Sequence, residues 1–509
     1  MTLIKRIGLI LMTAVVAIAI ASSLLNSLSE PQVTTRLQLY QTDLLLQATE
    51  WQGEDMGVAP ADVQRLQQAL LGKEPVQATI KQYSAVKAEA QNNLSQSESK
   101  ISELLPSDFA NASESRPTRL QAAADQQARL IQQLDLRLGL LHAESGDTKA
   151  AIATWQDLTT TSGSLGKTAD VLAALWQQPP AIKPTAEPLL QENLDGWFRY
   201  RALSRLYTLE ERPADLNQLQ SIEQVVAQKT IVKLALIGTV PIIGCLLGTA
   251  LLLFVVIQRF ISGKSAILAH SSGLTWETPW TAETIWQVLI VGFFFTGQIL
   301  LPLLLGGLGI NALALGSRGR ALYAMSYYLL MAAVGIGVLY ASLRTYRPLP
   351  DGWFRFRWDG NWWKWGLGGY LVALPLMIGV AVVNQRLWQG QGGSNPLLQT
   401  VLEESDKVSL LLFFLTASVA APLFEEVLFR GFLLPSLTRY MPVWGAIALS
   451  SFIFAAAHLS LSEVLPLMML GAILGFVYTR SRSLLAPMLL HSLWNGATMI
   501  GLLLLGSAR

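Results

Sequence analysis

The chain has 509 residues, of which 51% are hydrophobic and 14% are charged, and its mean hydropathy is +0.39. This composition is too apolar for a soluble protein and too charged for one that lies wholly within a membrane, so it predicts a hybrid of the two. The net charge is +2, and no basic run interleaved with aromatic residues occurs, which argues against a nucleic-acid partner. The lipid bilayer is the partner that this composition favours. A single cysteine, Cys245, excludes an intramolecular disulfide.

The first predicted element is an apolar segment that follows Lys5 and Arg6 and runs to about Leu25. At a rise of about 1.5 Å per residue it is long enough to cross a hydrocarbon core of ~30 Å. We interpret residues 1–28 as a signal anchor with a cytoplasmic N-terminus, because flanking basic residues stay on the cytoplasmic side. The alternative is a cleaved signal peptide, since two overlapping Ala-Ile-Ala triplets within the segment resemble cleavage sites.

Residues 29–229 are polar and carry apolar residues at helical spacing, so they predict a helical domain on the extracytoplasmic side. The stretch from Leu138 to Trp155 has the small-residue, glycine-turn and aromatic pattern of one helix-turn-helix unit of the tetratricopeptide kind. Stacked repeats need about three copies at a fixed period, and no convincing second copy is present, so we favour an irregular helical bundle. Its placement outside the membrane motivates the hypothesis that this domain recruits or selects substrate.

Beyond residue 229 the sequence becomes strongly apolar, and we divide it into membrane helices at residues 230–400 and a motif-bearing core at residues 401–509. Eight spans are predicted in addition to the anchor: Leu234–Ile257, Ile285–Ile310, Ala321–Leu343, Trp365–Val383, Val408–Leu434, Val443–His458, Val464–Tyr478 and Leu484–Leu505. Lysine and arginine are concentrated in the loops that this arrangement places in the cytoplasm. The predicted fold is all-α, a polytopic membrane helix bundle with a separate soluble helical domain, in a bacterial-type plasma membrane.

Three small polar clusters interrupt the last apolar stretch, and the members of each are spaced to share one face of a helix. They are Glu425-Glu426-x-x-x-Arg430, Phe454-x-x-x-His458 and His491-x-x-x-Asn495. Acids and imidazoles are costly in a bilayer interior, so they usually face a cavity or a partner and carry a function there. The clusters are therefore the candidate functional site.

Helical spacing predicts how these groups are arranged. Successive helical residues point about 100° apart, so we expect Glu425 and Glu426 to serve different neighbours. Glu426 should pair with Arg430 one turn away, which leaves Glu425 free to face a cavity. The chain turns near residue 441, and Glu425 and His458 are about equally far from that turn. An antiparallel hairpin would therefore bring this acid and this imidazole together.

A pocket lined by these groups has what peptide hydrolysis requires. A carboxylate can take a proton from water, a histidine can relay it, and a His/Asn pair can donate hydrogen bonds to the oxyanion. Glu425, His458 and His491 also form a two-histidine, one-carboxylate set of the kind that binds zinc, so metal-bound and metal-free activation of water are both open. The sequence has no HExxH motif and no aspartate within the predicted spans, which argues against other membrane-protease chemistries.

The ordered motifs EExxxR, FxxxH and HxxxN on successive apolar helices resemble the CPBP family of intramembrane proteases, which includes CAAX prenyl protease 2 and the abortive-infection proteins. The resemblance covers about residues 410–505 and does not explain the N-terminal part of the chain. It implies an intramembrane endopeptidase that acts on a membrane-associated protein or peptide. It also implies that Glu425 and His458 act on the water and that His491 and Asn495 line the oxyanion site. The supporting residues would be Glu426, Arg430 and Phe454.

Two other interpretations are open from the sequence. Polar residues on membrane helices can simply join the helices by hydrogen bonds. A catalytically silent scaffold, or an ion- or proton-coupled transporter, can use buried acids such as Glu425 and Glu426 as its binding site. Replacing Glu425 by Gln separates these interpretations, because only a protease would lose cleavage of a membrane substrate.

Overall fold

The computed structural model describes residues 3–28, 30, 32, 34–53, 59–72, 74–102, 117–161, 163–269, 275–310 and 315–506. Over these ranges the chain is helical and contains no β-strand, which confirms the predicted all-α class. The chain divides into two compact units. One is built from Met1–Val33 and Ile237–Gly506, and the other from Thr34–Leu236. The side of the membrane on which the second unit lies stays a prediction.

The soluble unit consists of consecutive helices that bury a core of leucines and aromatic rings, among which Trp155, Trp197, Tyr83 and Phe198 are fully buried. Helices α2 to α9 range from 8 to 28 residues in length, without a fixed period. The bounds are α2 Thr34–Thr49, α3 Pro60–Leu71, α4 Pro75–Ser102, α5 Pro117–Glu144, α6 Thr148–Thr159, α7 Ser164–Trp176, α8 Ala186–Asn193, α9 Gly196–Leu209 and α10 Pro213–Ser262. Helix α10 continues into the membrane unit.

The helix-turn-helix predicted around residues 138–155 is formed by α5 and α6. Gly146 supplies the left-handed turn at φ +89°, and the Asp147 side chain caps α6 by accepting from the backbone N–H of Ala150 at 3.0 Å. Trp155 packs directly over Gly139, because a Cβ at that position would lie 2.2 Å from the indole Nε1. Two helices can approach this closely only where a residue without a side chain faces the indole.

Gly139→Ala is expected to destabilise the soluble unit by about 1–3 kcal/mol, because the added methyl group overlaps the buried ring of Trp155. At a helical position with free space, Gly→Ala would instead stabilise the fold by roughly 0.5–1 kcal/mol. The sign of the change in stability therefore shows whether Trp155 packs against residue 139. Thermal unfolding of the full chain, followed by tryptophan fluorescence, measures it. The penalty should vanish in a Trp155→Leu background, and a stabilised Gly139→Ala protein would contradict the packing.

The membrane unit is built from apolar helices joined by short connections. Their bounds are α1 Leu3–Ser27, α11 Ala282–Gly307, α12 Ser317–Leu343, α13 Trp362–Trp388, α14 Pro396–Glu403, α15 Lys407–Leu437, α16 Val443–Ala456, α17 Leu461–Ser481 and α18 Leu485–Gly506. Helices α16 and α17 pack against each other as a hairpin, and α13 packs against both α17 and α18.

Eight helices of the described chain are long and apolar enough to cross a membrane: α1, α10, α11, α12, α13, α15, α17 and α18. These helices make the chain a multi-pass membrane protein. The prediction of eight spans besides the anchor is wrong for Val443–His458, which forms only the 14-residue α16. A helix of that length extends for about 21 Å, less than a hydrocarbon core of ~30 Å. The helix ends at Ala456. Three residues later Leu459 has a left-handed φ of +61°, which a continuing right-handed helix does not allow.

Helix α1 packs along α11 within the membrane unit. Leu9 and Val16 are buried against the apolar face of α11, and the indole N–H of Trp286 donates to the Thr13 hydroxyl at 2.9 Å. Near the start of α1, Arg6 forms an ion pair with Glu283 at 2.6 Å. Cleavage within the Ala-Ile-Ala triplets would separate these contacts from the rest of the chain. They favour the signal anchor over the cleaved signal peptide, and the choice between the two stays a prediction.

The end of α1 is hydrogen-bonded to two loops of the membrane unit. The backbone N–H of Leu461 donates to the Ser27 hydroxyl at 3.1 Å, three residues after His458. The side chain of Gln32 donates to the carbonyl of Gln391 at 2.6 Å, in the loop that follows α13. The first helix of the chain is thereby connected to the loop that carries the second sequence motif.

Candidate active site

The first motif lies on α15, a helix whose winding changes along its length. Residues Thr416–Ala420 and Val427–Leu433 form π-helical turns, and the short α-helical stretch Ala421–Glu426 lies between them. A π-turn contains one residue more than an α-turn, and such turns occur frequently at functional sites. Glu425 and Glu426 end the α-helical stretch, so the directions of the side chains around them do not follow one regular spacing.

Glu426 and Arg430 form the ion pair that their spacing predicts, with Arg430 Nη1 2.9 Å from Glu426 Oε1. Both side chains are almost completely buried, at 0% and 1% exposure. The guanidinium also donates to the carbonyl of Gly471 on α17 at 3.2 Å, and it lies 4.6 Å from the ring centroid of Phe454 on α16. Either group would be costly to bury alone in an apolar interior, and their pairing offsets part of that cost.

His491 on α18 bridges the two glutamates. Its Nδ1 lies 2.8 Å from Glu426 Oε1, and its Nε2 lies 3.9 Å from Glu425 Oε2. The expectation that Glu425 and Glu426 serve different neighbours is therefore wrong. The physical reason is that an imidazole carries nitrogen atoms on two sides of its ring, so one histidine placed between the glutamates reaches both.

Glu425 is half-buried, and its second oxygen is also engaged. The hydroxyl of Tyr328 on α12 donates to Glu425 Oε1 at 2.8 Å. The sequence analysis did not single out this tyrosine, because it lies in an earlier span and belongs to none of the three motifs. One property of the sequence could have indicated it: a tyrosine in an apolar helix needs a hydrogen-bond partner for its hydroxyl when it is buried.

His458 lies just beyond the end of α16 and is half-buried. Its Nδ1 donates to the carbonyl of Phe454 at 2.9 Å, which leaves Nε2 as the acceptor nitrogen of the neutral ring. The Phe454 ring lies between the two histidines, 5.0 Å from the ring centroid of His458 and 5.9 Å from that of His491. The direct meeting expected for Glu425 and His458 does not occur, because no hydrogen bond or ion pair joins them in the described ranges.

Asn495 lies one turn beyond His491 on the same helix, as its spacing predicts. Its side-chain Nδ2 donates to the carbonyl of Ala417 at 2.8 Å, within the first π-turn of α15. The amide therefore ties α18 to the helix that carries the glutamates. All seven candidate residues lie in one neighbourhood formed by α15, α16 and α18, and the role of each in a reaction stays a prediction.

The three predicted metal ligands do not form a metal site in this arrangement. Glu425, His458 and His491 do not converge on a common point, and no group of three His, Cys, Asp or Glu side chains elsewhere in the described residues is arranged to hold a metal ion. The Nδ1 atom of His491 is bonded to Glu426, and Glu425 Oε1 is bonded to Tyr328. The residues present do not fit a preformed zinc site.

Comparison with known proteins agrees with this site. The model of the type II CAAX prenyl endopeptidase Rce1-like family matches residues 407–497, which contain every motif residue. Residues 407–497 are an Rce1-like domain. The domain includes the glutamates of α15, the α16–α17 hairpin and the first half of α18, whereas Tyr328 lies before it.

Curated relatives are similar to this chain over about a quarter of its length. The membrane-embedded CAAX protease MroQ of Staphylococcus aureus (strain USA300) is 28% identical over 142 residues, which cover 27% of this chain and 56% of that protein. An uncharacterized 24.3 kDa protein of Escherichia coli is 34% identical over 115 residues, which cover 22% of this chain and 52% of that protein. The chain thus spans about half the length of the curated relatives that it matches. No solved structure is significantly similar to it.

Arg430→Met is expected to destabilise the Rce1-like domain by about 3–5 kcal/mol, because it leaves the charge of Glu426 buried without its partner. The matched control is Arg318→Met, which removes an ion pair with Asp406 whose arginine is 66% exposed. Exposed pairs contribute little, so the control should unfold at nearly the native temperature. Thermal unfolding of the detergent-solubilised full chain compares the two variants, and equal shifts would contradict a structural role for the buried pair.

Proposed function

We propose that this chain is an intramembrane endopeptidase in which the reactive water lies between Glu425 and His491. The proposal rests on the distance of 3.9 Å between Glu425 Oε2 and His491 Nε2. The proposal takes the His491 tautomer in which Nδ1 carries the hydrogen and donates it to Glu426 Oε1, 2.8 Å away. The Nε2 atom is then an acceptor, as is Glu425 Oε2. Two acceptors at this separation suit one water molecule that donates a hydrogen bond to each.

In the proposed reaction, Glu425 acts as the general base. It takes a proton from the water while the water oxygen forms a bond to the scissile carbonyl carbon and the carbonyl electrons move to the oxygen. When the tetrahedral intermediate collapses, the C–N bond breaks and Glu425 returns that proton to the leaving nitrogen. His491 orients the water through Nε2, and Glu426 fixes the tautomer and the ring position of His491.

The other motif residues have supporting parts in this proposal. His458 presents Nε2 as an acceptor, so it can hold or relay a proton at the edge of the site. Asn495 is assigned to the oxyanion, as the family resemblance implies, once a substrate competes with the Ala417 carbonyl for its N–H groups. Hydrogen bonds of this kind are often rearranged when substrate binds, so the present geometry is compatible with that part.

The proposed substrate is a peptide bond in a membrane-associated protein or peptide, because Glu425 and His491 lie on α15 and α18, which are long and apolar enough to span a bilayer. We further propose that the N-terminus is cytoplasmic and that residues 29–229 are extracytoplasmic. The excess of lysine and arginine in the loops after α10 and α12, over those after α11 and α13, supports this topology.

Glu425→Gln is expected to abolish cleavage, since an amide cannot take a proton from water, while the fold is retained. The measurement compares the N-termini of membrane proteins in cells that express either the native chain or the variant, so that an uncut substrate accumulates only with the variant. The matched control, Glu404→Gln, changes a carboxylate that bonds the Ser317 hydroxyl outside the site, and it should leave cleavage intact.

The same experiment separates the protease from the scaffold or transporter. A Glu425→Gln chain that is folded, and whose cells show native processing of every membrane protein, would overturn the proposal and favour the catalytically silent alternative. Loss of cleavage in both glutamate variants would also contradict it, because the effect would then not be specific to the site.

The proposed activation of water requires no metal ion, because the predicted ligands do not converge on one point. We therefore expect purified full-length protein to contain much less than one zinc per chain and to keep its cleavage activity after chelation. Metal analysis and activity before and after dialysis against a chelator measure both quantities. Stoichiometric zinc, or activity that is lost on chelation and restored by zinc, would show that Glu425, His458 and His491 rearrange into a ligand set.

A further inference from the structure

We infer that Tyr328 is a positioning residue for Glu425, and that α12 therefore belongs to the catalytic unit although it lies outside the Rce1-like domain. The hydroxyl of Tyr328 donates to Glu425 Oε1 at 2.8 Å, and the other oxygen, Oε2, faces His491. This inference rests on the proposed function, because it assigns Tyr328 a task only if Glu425 is the base.

A glutamate needs such a contact if one of its oxygens is to face a water. The last torsion of a glutamate side chain is broad, so the carboxylate of a free side chain turns easily about its terminal bond. A hydrogen bond at one oxygen removes that freedom. With Oε1 held by Tyr328, Oε2 stays directed to the gap in front of His491 Nε2. The orientation of the general base is then set before substrate arrives.

The packing of α12 against α15 places Tyr328 at the required distance. Gly335, seven residues further along α12 and on the same helical face, lies against the ring of Phe424, and a Cβ there would be 2.9 Å from two ring atoms. The rings of Tyr328 and Phe424 meet edge to face with their centroids 6.2 Å apart. Phe424, which is adjacent to Glu425 in the sequence, thus packs directly against α12.

Tyr327 provides a matched comparison on the same helix. Its hydroxyl donates to the backbone carbonyl of Gly297 on α11, away from the carboxylates. Removal of either hydroxyl deletes one hydrogen bond between α12 and a neighbour, so the structural consequences are similar. Only the hydroxyl of Tyr328 contacts the carboxylate that we propose to act as the base.

The test measures kcat and KM of the full-length protein on a membrane substrate identified with Glu425→Gln. Tyr328→Phe should lower kcat by roughly 10- to 100-fold, the range found when a partner that orients a reacting group is removed. KM should stay near its native value, because the tyrosine does not contact substrate. Tyr327→Phe should keep native kcat and KM. A Tyr328→Phe protein with kcat equal to that of Tyr327→Phe overturns the inference.

A second pair of variants tests the placement of α12 while Tyr328 is intact. Gly335→Ala forces α12 away from Phe424, and also from the carbonyl of Gly292 on α11, and should lower kcat. Gly337→Ala, where a Cβ meets nothing within 4 Å, should not. Adding Tyr328→Phe to Gly335→Ala should cause little further loss, because both changes act on one contact. Full additivity would overturn the inference even if Tyr328→Phe alone folds poorly.

The outcomes distinguish this inference from the proposed function. If Glu425→Gln abolishes cleavage and Tyr328→Phe behaves as Tyr327→Phe, the endopeptidase stands and the positioning role is rejected. If Glu425→Gln cleaves normally, the proposed function is rejected together with the role of Tyr328.

Discussion

The buried ion pair between Glu426 and Arg430 is the interaction on which the arrangement of the membrane unit depends. Neither charge is accessible to water, and each would be costly alone in an apolar interior. Arg430 also donates a hydrogen bond to the carbonyl of Gly471 and lies over the ring of Phe454, and Glu426 accepts a hydrogen bond from His491. One pair thus fixes contacts from α15 to α16, α17 and α18, and the three motifs lie on α15, α16 and α18.

The pair also divides the work between two adjacent acids. Glu426 is committed to Arg430 and to His491, so its part is structural. Glu425 has a tyrosine hydroxyl at one oxygen, and its other oxygen lies 3.9 Å from His491 Nε2. His491 contacts Glu426 and faces Glu425. Its position is therefore fixed by the buried pair, and it lies beside the carboxylate that we propose to react.

Local sequence pattern was sufficient for features that depend on spacing along one helix. It predicted the all-α class, the pairing of Glu426 with Arg430 and the shared face of His491 and Asn495. It could not predict contacts that depend on how helices lie side by side. The hydrogen bond from Tyr328 to Glu425 joins residues 97 positions apart in the sequence. Nor does an apolar run reveal that α15 contains π-turns, which change the directions of side chains that a regular helix would fix.

The contact between Ser27 and Leu461 joins residues that are 434 positions apart in the sequence. A ribosome adds about 5–20 residues per second, so roughly 20 to 90 s separate the synthesis of these two residues. Helix α1 can make this contact only after Leu461, at the start of α17, has been synthesised. The membrane unit is therefore completed late in biogenesis, after the whole soluble unit has been synthesised.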